Sequence, residues 1–294
     1  MTGADNVTTI ERSAFRNCRL TVIPFSDKIE QIDDYAFYGC ENMVGDLVLP
    51  ESLTSLGPYN VFYECKGLTS VDIRCNISEI GGGMFYNCSN LSSVRFPSTL
   101  TTIGTEAFRG CPLQSVTLPS TLKTLNKYAF AYTPLISVEL PEGLEMMGDG
   151  AFAYCSQLSS INIPESLTSI PNMAFNGCAL SSIEIPENIT SIGYWAFSGC
   201  SSASYVSLPS SLTQLGEGAF KECGSLRYVL VNAVRPPEGT PNMDWSTSGS
   251  GRFTPFSGPI YVPDESVETY KTDTYFSEYK NQIRPMSEFN PVGE

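Results

Sequence analysis

A five-residue motif recurs along residues 14–223 of this sequence. It reads AFRNC at residues 14–18, AFYGC at 36–40, AFRGC at 107–111, AFAYC at 151–155, AFNGC at 174–178 and AFSGC at 196–200. Its phenylalanine returns every 22 to 25 residues, at Phe15, Phe37, Phe62, Phe85, Phe108, Phe130, Phe152, Phe175, Phe197 and Phe220. Such a period is typical of repeat proteins, in which one unit cannot bury its apolar face alone and stacks on its neighbours.

Each unit follows the consensus L-x-x-V-x-L-P-x-x-L-x-x-I-G-x-x-A-F-x-x-C, as in the copy that begins at Leu113. The alternation of Val116 and Leu118 predicts a short strand with one buried face, and the proline after it ends the strand. The i, i+3 spacing of Phe108 and Cys111 predicts a one-turn helix. Ten units stacked as parallel rungs ~4.8 Å apart predict a solenoid.

The length of the unit varies mainly in one turn. One residue separates Cys178 from Leu180, whereas two residues separate Cys155 from Leu158. Apart from one 25-residue interval, this difference accounts for the alternation between 22 and 23 residues. The remaining positions are therefore predicted to keep a fixed register from unit to unit.

The consensus resembles the BspA-type leucine-rich repeats of bacterial surface proteins from Bacteroides-like anaerobes, over residues 7 to about 232. The tail IYVPDESVETYKTDTYFSEYKNQIRPM is similar to the closing segment of many such proteins. The resemblance implies a right-handed leucine-rich-repeat superhelix of short parallel strands and one-turn helices, with about ten repeats of 22–23 residues. It also implies export to the cell surface and a role in adhesion or ligand binding, and it implies no catalytic residues.

The repeat stops after Cys223, which divides the chain into two predicted segments. We predict a solenoid over residues 1–232 and a C-terminal loop with a small α+β cap over residues 233–294. The stretch 232–259 is rich in Pro, Gly and Ser and predicts a long loop. Within the cap, IYVP and QIRP are predicted strands, and Asp264 is the expected N-cap of a helix that carries Val267 and Tyr270.

Composition excludes several classes of function. The chain of 294 residues carries 17 basic and 31 acidic residues, a net charge of −14, and no histidine. An acidic surface repels nucleic-acid phosphates and anionic lipids, and no run of 18 apolar residues predicts membrane insertion. The lack of histidine removes Ser-His-Asp and Cys-His catalysis and the commonest metal ligand. We therefore expect a protein that is no enzyme and uses no cofactor or metal.

The expected location is extracellular or at the cell surface, because the family resemblance implies export. The first residues, MTGADNVTTIERSAF, lack the basic stretch followed by an apolar stretch that marks a signal peptide.

Nine of the ten cysteines stand three residues after the repeat phenylalanine, and Thr133 fills the remaining slot. A disulfide framework, a zinc site and a column of buried free thiols are the three interpretations. The substitution by Thr133, a residue of similar size, favours buried thiols that act as small fillers. The tenth, Cys75, lies in a predicted turn and is the one candidate for a reactive thiol.

Binding residues are expected where strand side chains point outward. The candidates are Asp72, Arg95, Thr117, Glu139, Asn162, Glu184, Tyr205 and Tyr228. Small serines precede several of them in each unit, which suits a broad partner. The two tyrosines are interpreted either as anchors for a partner or as residues that pack under the C-terminal cap.

Two further patterns in the sequence are candidates for sites. Glu139 and Glu184, two rungs or ~9.6 Å apart, fit a glycosidase carboxylate pair only marginally, and we interpret them as solvated charges. The tyrosines Tyr38, Tyr63 and Tyr86 occupy one position in three consecutive units. They are predicted to stack and either hold sugar rings or cover the short helices, and we favour the covering role.

The sequence thus predicts a non-catalytic binding or adhesion protein of the cell surface. The expected partner is a host or other extracellular protein, or a polysaccharide, with no nucleic acid among its partners. The alternatives are an enzyme that acts on polysaccharide along the strand face and a scaffold that associates with itself.

Overall fold

A computed structural model describes residues 7–22, 26–239, 253 and 256–290 of the chain. Its architecture is a parallel β-solenoid of about 11 turns, which confirms the predicted fold class. Two compact units are present, Met1–Leu158 and Ser159–Glu294. The division into a solenoid over residues 1–232 and a C-terminal loop and cap over residues 233–294 stays a prediction.

The described residues of the N-terminal unit form eleven short strands. They are β1 Thr9–Ile10, β2 Gln31–Ile32, β3 Gly45–Leu49, β4 Ser55–Leu56, β5 Leu68–Ile73, β6 Glu79–Ile80, β7 Ser93–Arg95, β8 Thr102–Ile103, β9 Thr124–Leu125, β10 Ser137–Val138 and β11 Met146–Met147. Sheet β3-β5-β7 arises from the V-x-L segments of the consensus, and the row of these segments is called the strand face below. Sheets β1-β2-β4 and β6-β8-β9-β11 arise from the L-x-x-I segments.

Ten more strands lie in the part of the C-terminal unit that the structure describes. They are β12 Ser160–Ile161, β13 Ser169–Ile170, β14 Ile183–Glu184, β15 Ser191–Ile192, β16 Tyr205–Leu208, β17 Gln214–Leu215, β18 Tyr228–Val231, β19 Glu238–Gly239, β20 Ile260–Val262 and β21 Ile283–Pro285. On the strand face the order is β14-β16-β18-β20-β21, and the second row is β13-β15-β17-β19. Both strands predicted in the tail, β20 and β21, are therefore present and extend the strand face.

Over residues 256–290 the tail also contains one α-helix, α1 Val267–Thr272, and 3₁₀ turns at Asp264–Ser266, Ser277–Tyr279 and Met286–Glu288. Tyr270 of α1 is buried and its hydroxyl donates to the carbonyl of Ala233 at 2.7 Å. The prediction that Asp264 caps this helix is wrong, because its carboxylate accepts the N–H of Ser287 at 2.9 Å instead. Of the predicted long loop over 232–259, residues 232–239, 253 and 256–259 are described, and within them the two-residue strand β19 departs from the prediction. The other residues of this stretch lie outside the described ranges.

The repeat phenylalanines form the core of each unit. In the N-terminal unit, stacking runs from Phe15 to Phe152 with ring centroids 5.3–5.8 Å apart. In the C-terminal unit it runs from Phe175 through Phe197 and Phe220. Phe253, which no repeat motif marks, continues that stack at 5.3 Å.

The A-F-x-x-C segments are series of tight turns, so the prediction of one-turn helices is wrong. The N–H of Cys40 donates to the carbonyl of Phe37, three residues back, at 3.1 Å. The N–H of Phe37 itself donates to Val61 in the next rung at 2.9 Å. An α-helix directs its interior N–H groups to carbonyls four residues back in the same segment. Here every second backbone N–H donates to a carbonyl of the neighbouring rung, and these hydrogen bonds link the rungs to each other.

This alternation requires left-handed backbone at two positions in every turn. The residues two before and two after each of the ten repeat phenylalanines have φ between 51° and 74°. Seven of these positions are glycine, but others carry large side chains, such as Tyr132 at 60° and Trp195 at 53°. Left-handed backbone disfavours such residues by ~1–2 kcal/mol each, so rung-to-rung hydrogen bonds and packing offset a distributed strain.

The strand face is broken in the N-terminal unit. β7 is the last strand of its sheet, and residues 111–119 form no strand, which contradicts the predicted strand at Val116 and Leu118. Both side chains are half-buried there.

The break follows from the length of the turn after the cysteine slot. Where two residues intervene, the next N–H closes the turn, as from Leu91 to the carbonyl of Cys88 at 2.9 Å. Only Pro112 separates Cys111 from Leu113, so this three-residue closure is impossible there. The following segment then starts out of step with the preceding strand.

Candidate functional site

In the N-terminal unit the candidate binding residues differ in their exposure and in their ion pairs. Asp72 is half-buried and pairs with Arg74, Oδ2 to Nε, at 2.7 Å. Arg95 lies farther from Asp72, at 3.7 Å from Oδ1, and is largely exposed. Thr117 and Glu139 are exposed. The structure thus brings Asp72 and Arg95 together as an ion pair on adjacent strands.

In the C-terminal unit three candidates form one cluster. The hydroxyl of Tyr205 on β16 donates a hydrogen bond to the carboxylate of Glu184 on β14. This bond, followed by partial burial, raises the pKa of Tyr205. The ring of Tyr205 stacks on Tyr228 of β18 with centroids 5.4 Å apart and planes 10° apart. Asn162 is exposed on the rung of β12.

Tyr228 also contacts the tail, which bears on the two interpretations of the tyrosines. Its ring lies 5.1 Å from that of Phe289, which in turn lies 5.1 Å from Tyr261 of β20. Of the two interpretations, packing against the tail therefore applies to Tyr228. Tyr205 has one ring face against Tyr228 and its hydroxyl directed at Glu184.

A depression of ≈ 280 Å³ lies beside this cluster, between β12 and β14. Its rim carries Ser160, Ser181, Ser182 and Glu184. Below the rim it is lined by isoleucine, leucine and phenylalanine side chains, among them Ile183. Sequence reasoning found Glu184 but missed the depression, for which the only available signal was the short turn between Cys178 and Leu180.

The predicted tyrosine stripe is a closed stack. Tyr38 and Tyr63 have centroids 4.6 Å apart, and Tyr63 and Tyr86 have centroids 4.5 Å apart. The guanidinium carbon of Arg16 lies 4.8 Å from the ring centroid of Tyr38, and that of Arg109 lies 5.5 Å from the ring centroid of Tyr86. The ring faces are thus occupied by each other and by guanidinium groups, which favours the covering role over sugar stacking.

Burial within this stack changes the acidity of its central member. It raises the pKa of Tyr63 to about 12, and the neighbouring phenols Tyr86 and Tyr38 act in the same direction. Ionisation of Tyr63 is therefore disfavoured near neutral pH.

The cysteine column consists of free thiols, and it is buried except at Cys18. Each of several thiols donates to the phenylalanine carbonyl of the preceding rung, as Cys88 does to Phe62 at 3.2 Å and Cys111 to Phe85 at 3.0 Å. The column therefore combines small volume with a hydrogen-bond donor. The sequence interpretation as a simple filler had missed the donor.

Cys75 is fully buried, and burial raises its pKa. A reactive cysteine needs an accessible thiolate, which such surroundings disfavour. The structure therefore contradicts Cys75 as a candidate reactive thiol.

Across residues 7–22, 26–239, 253 and 256–290, no group of three or more His, Cys, Asp or Glu side chains is placed to hold a metal ion. The same ranges include no helix with the length and apolar character needed to cross a bilayer.

Comparison with known proteins identifies relatives of the repeat. Residues 8–136 and 123–234 match the sequence profile of the BspA type leucine-rich-repeat region, in six copies. Among curated protein sequences, none matches the chain significantly.

Solved structures of bacterial leucine-rich-repeat proteins are similar to the chain. One from Bacteroides ovatus has a TM-score of 0.62 at 25% identity and covers 74% of this chain, which spans 63% of that protein. One from Eubacterium ventriosum has a TM-score of 0.52 at 20% identity, covering 84% and 78% of the two chains. A leucine rich cell surface protein from Faecalibacterium prausnitzii has a TM-score of 0.46 at 25% identity, covering 76% of each.

Proposed function

This chain belongs to the BspA type leucine-rich-repeat family, and from that premise we propose that it is a non-catalytic binding protein of the cell surface. It acts as an adhesin or ligand-capture module for an extracellular protein or polysaccharide. Family membership supports the location and the general role.

The observation that carries the proposal is the cluster of Tyr205 and Glu184 beside the depression. Both side chains stand on the outward side of the strand face, on β16 and β14, whereas the inward side chains of these strands form the core. Aromatic and charged groups beside a concave surface are typical of ligand sites.

The alternative of a polysaccharide-acting enzyme needs two carboxyl groups, one of which stays protonated because its pKa is raised. Where a shift is resolved among the described carboxyl groups, at Asp46, Glu187 and Asp264, hydrogen bonds from neighbouring serines lower the pKa. A lowered pKa suits a carboxylate that stays ionised and does not suit a general acid. These three carboxyl groups are therefore unsuited to the acid role that the enzyme alternative requires.

The test is a binding screen of the purified chain against immobilised extracellular-matrix proteins and a polysaccharide panel. Saturable binding without release of reducing ends is the expected result. Release of reducing ends would establish the enzyme alternative instead. No binding to either panel, together with a molecular size that grows with concentration, would overturn the proposal in favour of a scaffold.

A further inference from the structure

The depression between β12 and β14 originates in one missing residue. In the neighbouring rungs two residues follow the cysteine, and the turn closes through hydrogen bonds from Leu158 to Cys155 at 2.9 Å and from Ala203 to Cys200 at 3.1 Å. Only Ala179 separates Cys178 from Leu180. The segment that leads into β14 therefore starts one residue early.

The consequence is that β14 pairs with a strand of the repeat on one of its two sides. β14 pairs in parallel with β16, Ile183 with Val206 and Glu184 with Ser207. It shares no sheet with β12, although the rungs of β12 and β14 are consecutive in the repeat. Side chains that elsewhere lie under a paired sheet line a depression of ≈ 280 Å³ at this point.

The geometry points to a subsite in this depression for a single pyranose ring of a neutral sugar chain, opened by the short turn after Cys178. This inference rests on the proposed binding function and names the ligand class of that same site. The turn acts through the register of β14, and the rim supplies the groups that contact the sugar.

The rim matches the hydrogen-bonding chemistry of a sugar. The hydroxyls of Ser160, Ser181 and Ser182 can both donate and accept, and the carboxylate of Glu184 accepts. A pyranose ring presents hydroxyl groups around its edge and C–H groups on its faces. The apolar lining, including Ile161 and Ile183, suits those C–H faces.

The volume of the depression and the charge around it narrow the class of ligand further. A volume of ≈ 280 Å³ lies at the small end of ligand pockets, so it suits one ring of a chain that continues outside. The carboxylate of Glu184 and the net charge of −14 repel uronic or sialic acids. A cationic peptide would complement Glu184, but that carboxylate already accepts the hydroxyl of Tyr205, and the remaining polar rim consists of neutral hydroxyls.

Tyr205 is a positioning residue for this subsite. Its hydroxyl donates to the carboxylate of Glu184, and its ring stacks on that of Tyr228. These contacts fix the orientation of the rim groups before a ligand arrives.

Calorimetric titration of the full chain tests the inference. The ligands are neutral gluco-, manno- and galacto-oligosaccharides. A sialylated oligosaccharide and an oligolysine peptide are the comparison probes. We expect saturable binding of at least one neutral series, and at least tenfold weaker binding by Glu184→Ala. The matched control Glu238→Ala, an exposed glutamate on β19 in the second row of strands, should bind as the unmodified chain does.

The decisive variant inserts one serine between Ala179 and Leu180, which restores the two-residue turn. Pairing of β12 with β14 should then close the depression, and sugar binding should be lost although every rim residue remains. If the insertion impairs folding, as circular dichroism would show, Ser182→Val serves as the second variant because it fills the depression with a bulkier side chain.

The outcomes separate this inference from the proposed function. Neutral-sugar binding that survives both Glu184→Ala and the folded insertion or filling variant would overturn the subsite. Binding of oligolysine alone, or of matrix proteins alone, would overturn the sugar class and leave the binding function standing. If no probe and no matrix protein binds, both the subsite and the proposed binding function are overturned.

Discussion

The hydroxyl of Thr133 and the thiol of Cys155 lie 3.2 Å apart in adjacent rungs, and both are hydrogen-bonded to the carbonyl oxygen of Phe130. One carbonyl thus accepts from its own rung and from the next. The single exception to the cysteine column keeps a small donor at the same place. At this position the column therefore holds a buried donor as well as a small side chain.

Thr133→Val, which keeps the shape and removes the donor, should lower the free energy of unfolding by about 1 kcal/mol. Thr133→Cys restores the column and should be close to neutral. Denaturant unfolding of both variants checks this. Equal stability of the two would show that the slot requires volume alone.

The buried thiols should make the protein lose stability in alkaline solution. Burial raises the pKa of Cys155 to about 11 and that of Cys111 to about 12, from the usual value of 9.0. Between pH 9 and 11 the unfolded thiols ionise while the folded ones stay protonated. Unfolding free energy should therefore be constant below pH 9 and fall above it, by about 1.4 kcal/mol per pH unit for each such thiol.

Unfolding at a series of pH values measures this loss, and a variant with Cys111→Thr should lose less with rising pH. Thiol labelling at pH 8 gives an independent check, with Cys18 expected to react first because it alone in the column is partly exposed. Fast labelling of Cys111 in the folded protein would contradict the burial on which the argument depends.

Relief of backbone strain should stabilise the chain at Glu222. This residue has φ of 62°, its side chain is 65% exposed, and its ion pair with Lys221 spans 3.8 Å. Glu222→Gly removes both the charge and the energetic penalty of the left-handed backbone. Glu222→Ala removes the same charge but keeps the backbone penalty. The glycine variant should be more stable than the alanine variant by about 1 kcal/mol in denaturant unfolding. The reverse order would mean that the turn carries little strain at this position.

The central ring of the tyrosine stack should contribute to stability and not to ligand binding. Tyr63→Ala removes two ring contacts at 4.5–4.6 Å and should cost about 2 kcal/mol of unfolding free energy, whereas Tyr63→Phe keeps both contacts and should cost far less. Glycan affinity should be unchanged in both. A loss of affinity in the phenylalanine variant would assign the row of phenols to a ligand.

The outward glutamates of the strand face should be dispensable for folding. Glu139 and Glu184 are exposed, so Glu139→Ala and Glu184→Ala should each change the free energy of unfolding by less than about 0.5 kcal/mol. Thermal unfolding by circular dichroism measures this. A large loss in either variant would mean that these side chains do not face solvent.

Periodicity along the sequence was sufficient to predict the solenoid, the parallel strands, the buried phenylalanine column and the free thiols. Positions such as Phe108 and Cys111 recur because each rung must present the same side chain to the same neighbour, and that requirement is local and repeated. Outward positions such as Glu184 and Tyr205 could be named for the same reason, since alternation along a strand decides which side chains leave the core.

What periodicity could not predict is how a rung divides its hydrogen bonds between itself and its neighbours. The spacing of Phe108 and Cys111 suits a helix turn, yet the tertiary structure sends alternate N–H groups to the next rung and forces left-handed backbone beside the phenylalanine. Phe253 joined the aromatic core without any motif, because contact with Phe220 depends on the path of the tail.

By itself, then, the sequence determined the repeat, its register and the residues that face inward, because those follow from side-chain spacing along the chain. Only the tertiary structure decided where the strand face opens and which outward side chains meet there. The single missing residue between Cys178 and Leu180 is visible in the sequence, but its effect on the pairing of β14 depends on how two rungs align in space.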